Sequence, residues 1–430
     1  MRMHATFRRG IWLVVGLLFT GACQAKTASL AFLSREDMQQ ARAMLKQKSA
    51  PAATQQAWQQ LQREADRALA QPDPSVMDKG MVPPSGSRHD YLSLSAYWWP
   101  DEMQKQAAWV RHDGKVNPAS KNDQSDGVRL ARFTADVQAL TLAWYFSGET
   151  RYAEKAQSMV RHWFIDPASR MNPNLNYAQG VPGVAEGRHV GVLDGRYFAT
   201  RVVDALVLLR DAPGWREADD VALHQWFSNY LHWLQTSKLA RGERDAPNNH
   251  GSWYTAQVAG IAWYLDEKSV IHEMVGLAKQ KIDLQIRQDG TQPEELARTR
   301  SFHYSYFNLQ ALTGVAQLAQ RSGAGDLWHY KNVQGGSLLA ALDYMAPYTD
   351  SGHDWPWKNR DRVSVRMIPL LSLADNSLKT PRYQAWIAKA DWQLPVTTGD
   401  KYEAGIERGA VIQAERETWL LSLPRSVKGE

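Results

Sequence analysis

Apolar residues recur at helical spacing along most of the chain. Trp253, Gln257, Val258, Ile261, Ala262 and Leu265 share one stripe, the mark of an α-helix with one buried face. The same periodicity predicts helices near 35–49, 52–70, 128–147, 150–164, 194–211, 215–236, 251–265, 268–287, 302–320, 326–346, 362–374 and 380–391. Ser34 before Arg35-Glu36-Asp37 is a capping signal for the first of them. Gly409 to Leu423 fits either a strand pair or a last helix. No run of alternating strands comes before it, and neither an internal repeat nor a linker divides the chain. The expectation is a single large all-α domain over 26–430, built of antiparallel helical hairpins. Hairpins in this number can close into an incomplete α/α toroid whose loops ring a groove at one end.

Residues 71–125 break the pattern. They are rich in Pro, Gly, Ser, Asp and Asn, and contain Tyr97-Trp98-Trp99-Pro100-Asp101. A stretch this long with little regular pattern is functional or disordered, and its aromatic residues argue against disorder. It reads as a loop laid over a cleft. Two shorter loops, 172–188 and 287–296, interrupt the helices further on.

The N-terminus adds a compartment. A basic start with Arg2, Arg8 and Arg9, the apolar run Gly10 to Phe19 and the small-residue stretch before Ala25 predict a secretory leader over 1–25. The run is too short for a mature transmembrane helix. Cys23, the only cysteine, makes a lipoprotein anchor the second choice. Cleavage after Ala25 would leave no thiol for a disulfide, a nucleophile or a metal, which suits a periplasmic protein. The formal charge of +5 falls once the leader arginines are lost. That balance does not argue for nucleic acid, but it allows an anionic polysaccharide if the basic residues converge in one groove. The 18 tryptophans offer sugar-stacking faces as well as packing surface. The histidines show no short ligand spacing, so no metal site is expected.

The chemistry centres on Asp245 to Gln257, a polar loop feeding a helix. Asn249 and His250 fall at the helix N-terminus, where free N–H groups and the dipole favour a carboxylate. Alone, the triplet reads better as two capping amides and a histidine that satisfies a buried acceptor. A second segment, Glu294 to Leu309, carries Arg298, Arg300, His303 and Tyr304 where a loop enters a helix.

Together the two segments resemble the alginate lyase superfamily of polysaccharide lyases. The resemblance rests on Asn248-Asn249-His250, on Glu295-Leu296-Ala297-Arg298-Thr299 and on Tyr304. It extends to the loop Asn172-Pro173-Asn174-Leu175-Asn176-Tyr177-Ala178-Gln179 and to Tyr97-Trp98-Trp99-Pro100-Asp101. It covers roughly Asp90 to Ala311. The Arg298-to-Tyr304 spacing is closer to family thirty-eight than to family five, where the pair sits one residue further apart, and some family-thirty-eight lyases act on glucuronan. The resemblance implies an α/α toroid and β-elimination on a uronic-acid polymer, with catalytic roles for Asn249, His250, Arg298 and Tyr304. Asn249, His250 and Arg298 would neutralise the sugar carboxylate, and Tyr304 would take the C5 proton and return one to O4. It further implies substrate contacts at Asn176, Gln179, Arg188, Trp98, Trp99, Arg300 and His303. The elimination needs no redox cofactor. Because the tyrosine pKa is ordinarily about 10, Arg298 is expected to favour the phenolate. The preferred course is a syn elimination by Tyr304 alone on mannuronate or glucuronate, with guluronate a poor substrate. A glycoside hydrolase using a pair such as Asp101, Glu186, Asp194, Asp289, Glu294 or Glu295, and a non-catalytic sugar-binding protein, are the rival readings.

Overall fold

The computed structural model describes residues 29–103, 108–350, 352–360, 363–393 and 401–429. The expected leader and its Cys23 lie outside the described residues.

The helices are α1 (Arg35–Lys46), α2 (Ala52–Leu69), α3 (Gly127–Ser147), α4 (Thr150–Phe164), α5 (Val203–Leu209), α6 (Glu217–Thr236), α7 (Lys238–Arg244) and α8 (Asn249–Tyr264). They continue as α9 (Lys268–Gln285), α10 (Pro293–Leu296), α11 (Ser301–Ser322), α12 (Leu338–Met345), α13 (Ile368–Leu378), α14 (Gln384–Lys389), α15 (Lys401–Arg416) and α16 (Arg425–Lys428). Helix accounts for 61% and strand for 4%, so the all-α expectation holds, and the hairpins form a toroid that does not close into a barrel. Neighbours pack in sequence, α2 on α3, α3 on α4 and α8 on α9, while α11 packs against both α8 and α9.

α8 is the hub. Every residue of it except His250 and Trp263 is buried, because it is apolar on nearly all faces and lies between two hydrophobic cores. Ser34, Ser237 and Asn248 cap α1, α7 and α8 through their side-chain oxygens.

Residues 30–33 are pinned to α5 and α11. Asp204 accepts the backbone N–H groups of Ala31, Phe32 and Leu33 at 2.5, 2.9 and 2.8 Å. Arg321 donates to the carbonyls of Leu30, Ala31 and Leu33 at 2.8, 2.6 and 3.0 Å. The Phe32 ring lies so close to Gly260 that a Cβ there would come within 2.6 Å of it.

Several elements differ from the periodic pattern. The region 194–211 divides into a 3-10 turn (His189–Gly195), a π turn (Phe198–Val202) and α5. In 326–346 only α12 is α-helical. Before it, Asn332 donates to the carbonyls of Ile282 and Ile286 and accepts from Gln334 and Gly336 N–H groups, which folds that stretch into a loop. Gly409 to Leu423 is helical as far as Leu421, running through α15 into a π turn (Glu417–Leu421). The long 71–125 stretch contains β1 (Leu92–Leu94), β2 (Trp98–Trp99) and β3 (Val110–Arg111); β1 pairs in parallel with β4 (Tyr177–Gly180), and β2 with β3 antiparallel. The β1–β4 pairing joins the 71–125 stretch to the 172–188 loop, and Tyr97 and Asp113 of that stretch reach Tyr304 and Arg298 where α11 begins.

Candidate active site

Asn249 and His250 open α8. The Asn248 side chain accepts from the His250 N–H at 3.1 Å, and Asn249 is 1% exposed. Both Asn249 donors engage Glu295: the backbone N–H reaches Oε1 at 2.6 Å and the side-chain Nδ2 reaches Oε2 at 2.8 Å. Burial raises the Glu295 pKa to about 7, overcoming the two Asn249 bonds that favour the carboxylate. The loop before α8 is fastened from below, where the Lys281 Nζ donates to the Arg244 and Ala246 carbonyls at 2.6 and 2.9 Å. A Cβ on Gly251 would come within 2.3 Å of the Ala246 carbonyl, so glycine permits this close approach.

His250 is held by a residue of the preceding helix. Its Nδ1 lies 2.7 Å from Glu243 Oε1 in the last turn of α7, and His189 Nδ1 lies 3.2 Å from Oε2 of the same carboxylate. The Glu243 side chain is 0% exposed. Burial raises its pKa, but the two imidazoles outweigh that and hold it below the usual value. An ionised carboxylate only accepts. His250 therefore carries its proton on Nδ1 and offers Nε2, an assignment that follows from the partner.

Arg298 and Tyr304 meet at the start of α11. The guanidinium carbon stands 3.8 Å from the centroid of the Tyr304 ring. Its Nη2 and Nε donate to the two oxygens of Asp113 at 2.7 and 3.3 Å. Burial opposes the Asp113 charge, yet the bonds from Arg298 and Thr299 hold its pKa at about 2. The Tyr304 hydroxyl lies 2.9 Å from that of Tyr97. Arg298 does pull the Tyr304 pKa down, as expected. Burial and Tyr97 push it up by more, and the net value lies well above the ordinary one. In the free protein Tyr304 is a phenol, contrary to the expected phenolate.

The remaining predicted residues separate. His303 is beside Tyr304, ring to ring at 5.3 Å, and stacks on Phe307 at 5.5 Å. Burial and the charges of Arg366, Arg300, Arg196 and Arg298 keep it neutral. Arg300 caps α11 and bridges by its backbone to Asn359. Arg188 lies 5.2 Å over the Trp98 ring and donates to Ser95 at 3.1 Å; it makes no ion pair among the described residues. Trp99 points to the other side of β2, where its indole donates to the Lys115 carbonyl at 2.9 Å and Lys115 covers the ring. Gln179 spends its amide on Asp194 at 2.8 Å, with its backbone at a positive φ of 48°. Asn176 accepts from the Trp233 indole at 2.9 Å, so its side-chain oxygen is occupied.

Glu243 and Asp113, which sequence reasoning passed over, hold the site together with Glu295, read there as a possible hydrolase acid, and Tyr97, read there as part of the loop over the cleft. Glu295 stood inside the quoted motif and Tyr97 inside the aromatic loop, but their partners are 46 and 207 residues away. Asp113 carried no local signal. Among the described residues no three His, Cys, Asp or Glu side chains converge as a metal site would require.

The alginate lyase family matches residues 75–355. An alginate lyase from Bacteroides ovatus has 30% identity and a TM-score of 0.79, covering 90% of this chain and 99% of its own. Alginate lyase A1-III of a Sphingomonas species, solved as a variant complexed with a tetrasaccharide, has 16% identity and a TM-score of 0.51, covering 80% of this chain and 88% of its own; at that identity it supports the fold. None of the curated proteins compared matches the chain. With the family matched over more than half its length and its Asn, His, Arg and Tyr gathered at one end of a helical toroid, the chain belongs to the alginate lyase family and is a polysaccharide lyase.

Proposed function

We propose that this lyase splits alginate by β-elimination at the cleft formed by α8, α11 and the 71–125 loop. The observation that carries the reading is the pairing of a protonated Tyr304 hydroxyl with an overlying Arg298 guanidinium. A uronate C5 proton is weakly acidic because the adjacent carboxylate is already charged. Donors aimed at that carboxylate stabilise the dianion as it forms. Arg298 Nη1 and the second Nδ2 hydrogen of Asn249 are the donors left over from Asp113 and Glu295. Tyr304, holding its proton, supplies it to the departing O4.

The base then depends on the sugar. In guluronate the C5 proton and O4 lie on opposite faces, so a second group is needed. His250 suits it, with Nδ1 anchored on Glu243 and Nε2 available. In mannuronate, as in glucuronate, both lie on one face, and Tyr304 can serve alone only after it has lost its proton. This reading widens the expected preference for mannuronate to both alginate residues. Its test is initial-rate absorbance of the conjugated C4=C5 product on polymannuronate, polyguluronate and glucuronan. Tyr304→Phe should lose elimination on every polymer, and His250→Ala should lose polyguluronate most. Substantial turnover by Tyr304→Phe, or new reducing ends without ultraviolet absorbance, would sink it. We also propose a periplasmic site of action, motivated by residues 1–25; recovery in the cytoplasmic fraction would refute it.

A further inference from the structure

Three cations stand together without an ion-pair partner among the described residues. Arg196 and Arg201 lie 4.0 and 4.1 Å from the Tyr197 ring centroid. Arg196 also donates to the Tyr197 hydroxyl at 2.6 Å. Their other bonds go to neutral oxygens: Leu193 for Arg196, and Ala131 and Thr134 for Arg201. Lys121, exposed, completes the group. Burial raises the Tyr197 pKa, yet Arg196, Arg201 and Lys121 outweigh it and leave it lowered. Elsewhere the pattern is different. Lys79 is neutralised by Asp126 at 3.0 Å, Arg161 by Asp219 at 2.7 Å and Arg298 by Asp113 at 2.7 Å. The nearby carboxylate, Asp194, is occupied by Tyr91, Ser93 and Gln179 at 2.9, 2.6 and 2.8 Å. It and Glu417 act on the cluster only at longer range. A buried or half-buried charge normally finds a counter-charge, and among the described residues this cluster has none in direct contact.

Lys121, Arg196 and Tyr197 border a cavity of about 110 Å³, together with Ala96, Gln179 and Asp194, whose carboxylate is already engaged by its three hydrogen bonds. Both walls lead to the catalytic tyrosine. Ala96 precedes Tyr97, whose hydroxyl is 2.9 Å from Tyr304. Arg196 lies 5.4 Å over Phe307, which stacks on His303 beside Tyr304. A polyuronate presents one carboxylate per sugar, so a chain held at Tyr304 carries its next carboxylate one ring further along. We propose that Lys121 and Arg196 form a second anion subsite, which takes the carboxylate of a uronate residue neighbouring the one that is cleaved. This assignment rests on the alginate reading and makes consecutive uronates a condition of tight binding.

The test is calorimetric binding of saturated mannuronate and guluronate oligomers to a Tyr304→Phe protein, which prevents turnover. The same protein is compared with Lys121→Glu added, and separately with Arg196→Gln. Lys121 is exposed, so its reversal spares the fold even if Arg196→Gln does not. Each change should weaken binding about tenfold or more, the scale of a lost charge-assisted hydrogen bond. Fully methyl-esterified oligomers should bind weakly and equally to all three proteins. Equal affinity of the parent and Lys121→Glu for the carboxylate oligomer, or no measurable binding, overturns the subsite. Elimination by the wild type is read separately from ultraviolet absorbance. Its absence would overturn the alginate reading, while Lys121-dependent binding would still uphold the subsite.

Discussion

Replacing Glu243 by glutamine removes one buried charge and asks whether it positions His250. The carboxylate receives two imidazoles, at 2.7 and 3.2 Å, and its side chain has no solvent exposure. A glutamine keeps one acceptor oxygen and presents an amide donor to the other ring. Only one of His189 and His250 can then keep its Nδ1 proton directed at residue 243; the other must turn or change tautomer. Each bond to the carboxylate is charge-assisted, and losing one costs about 1.5–3 kcal/mol. If His250 is the base on guluronate, a displaced Nε2 removes most of a general-base contribution of roughly 10²–10⁴. Glu243→Gln should therefore cut kcat on polyguluronate by about 10² or more. The loss on polymannuronate should be smaller, since Tyr304 serves there. Glu243→Asp keeps the charge on a shorter arm and should recover part of the rate. The assay is product absorbance on both polymers, with near-ultraviolet circular dichroism to establish folding. A folded Glu243→Gln protein within about threefold of wild type on polyguluronate would refute the positioning role, because no bound on general-base catalysis is that small.

Three further outcomes follow from the site. Arg298→Lys keeps a charge but loses the planar fork on Asp113 and the stacking on Tyr304; turnover should fall about 10²-fold or more, and a near-normal rate in a folded protein would shift suspicion to Arg300. The polymannuronate rate should keep rising with pH further into the alkaline range than the polyguluronate rate, because burial raises the Tyr304 pKa and only the first reaction needs its phenolate; coincident profiles would argue against two bases. Asp113 has a folded pKa of about 2 against the ordinary 3.8, so the stability it contributes is present above the ordinary value and lost as pH falls through 2; Asp113→Asn should flatten that part of the acid-unfolding curve, and an unchanged curve would show that the ion pair with Arg298 adds nothing.

Much of the fold was legible because burial writes a period into the sequence. The stripe from Trp253 to Leu265 gave α8 to within two residues, and Ser34 gave the start of α1. The misreadings have local causes. Asn332 uses one side chain to satisfy four backbone groups, which makes a loop from a stretch with helical periodicity. Turns of 3-10 and π form over 189–202 keep nearly the same apolar spacing as an α-helix and are not separable from it by period. The candidate catalytic side chains were legible as a motif at two helix starts, but their supports were not. Asp113 is 185 residues from Arg298 and Tyr97 is 207 from Tyr304, and no local pattern encodes a partner at that separation. Glu243, only seven residues before His250, was hidden for another reason: it ends a short helix whose existence the periodicity did not reveal.

The position of the acids explains how such a site accepts a polyanion. Glu243, Glu295 and Asp113 each hold a candidate catalytic side chain from behind, through His250, Asn249 and Arg298 respectively. Glu243 and Glu295 are buried, and the Asp113 charge is spent on Arg298. A carboxylate facing the substrate instead would meet each sugar's own charge. At 4 Å and an effective dielectric of 20, that repulsion is about 4 kcal/mol, enough to cancel a good hydrogen bond to the same group. Placed behind, the acids orient donors and leave the donors in front. The Glu295 pKa of about 7 gives this arrangement a pH-sensitive member. Protonation would weaken its grip on the Asn249 N–H groups, since a neutral acid is the poorer acceptor. Asn249 is therefore held most firmly above that value, and the same rise in pH brings Tyr304 closer to the phenolate that the proposed mannuronate reaction would require.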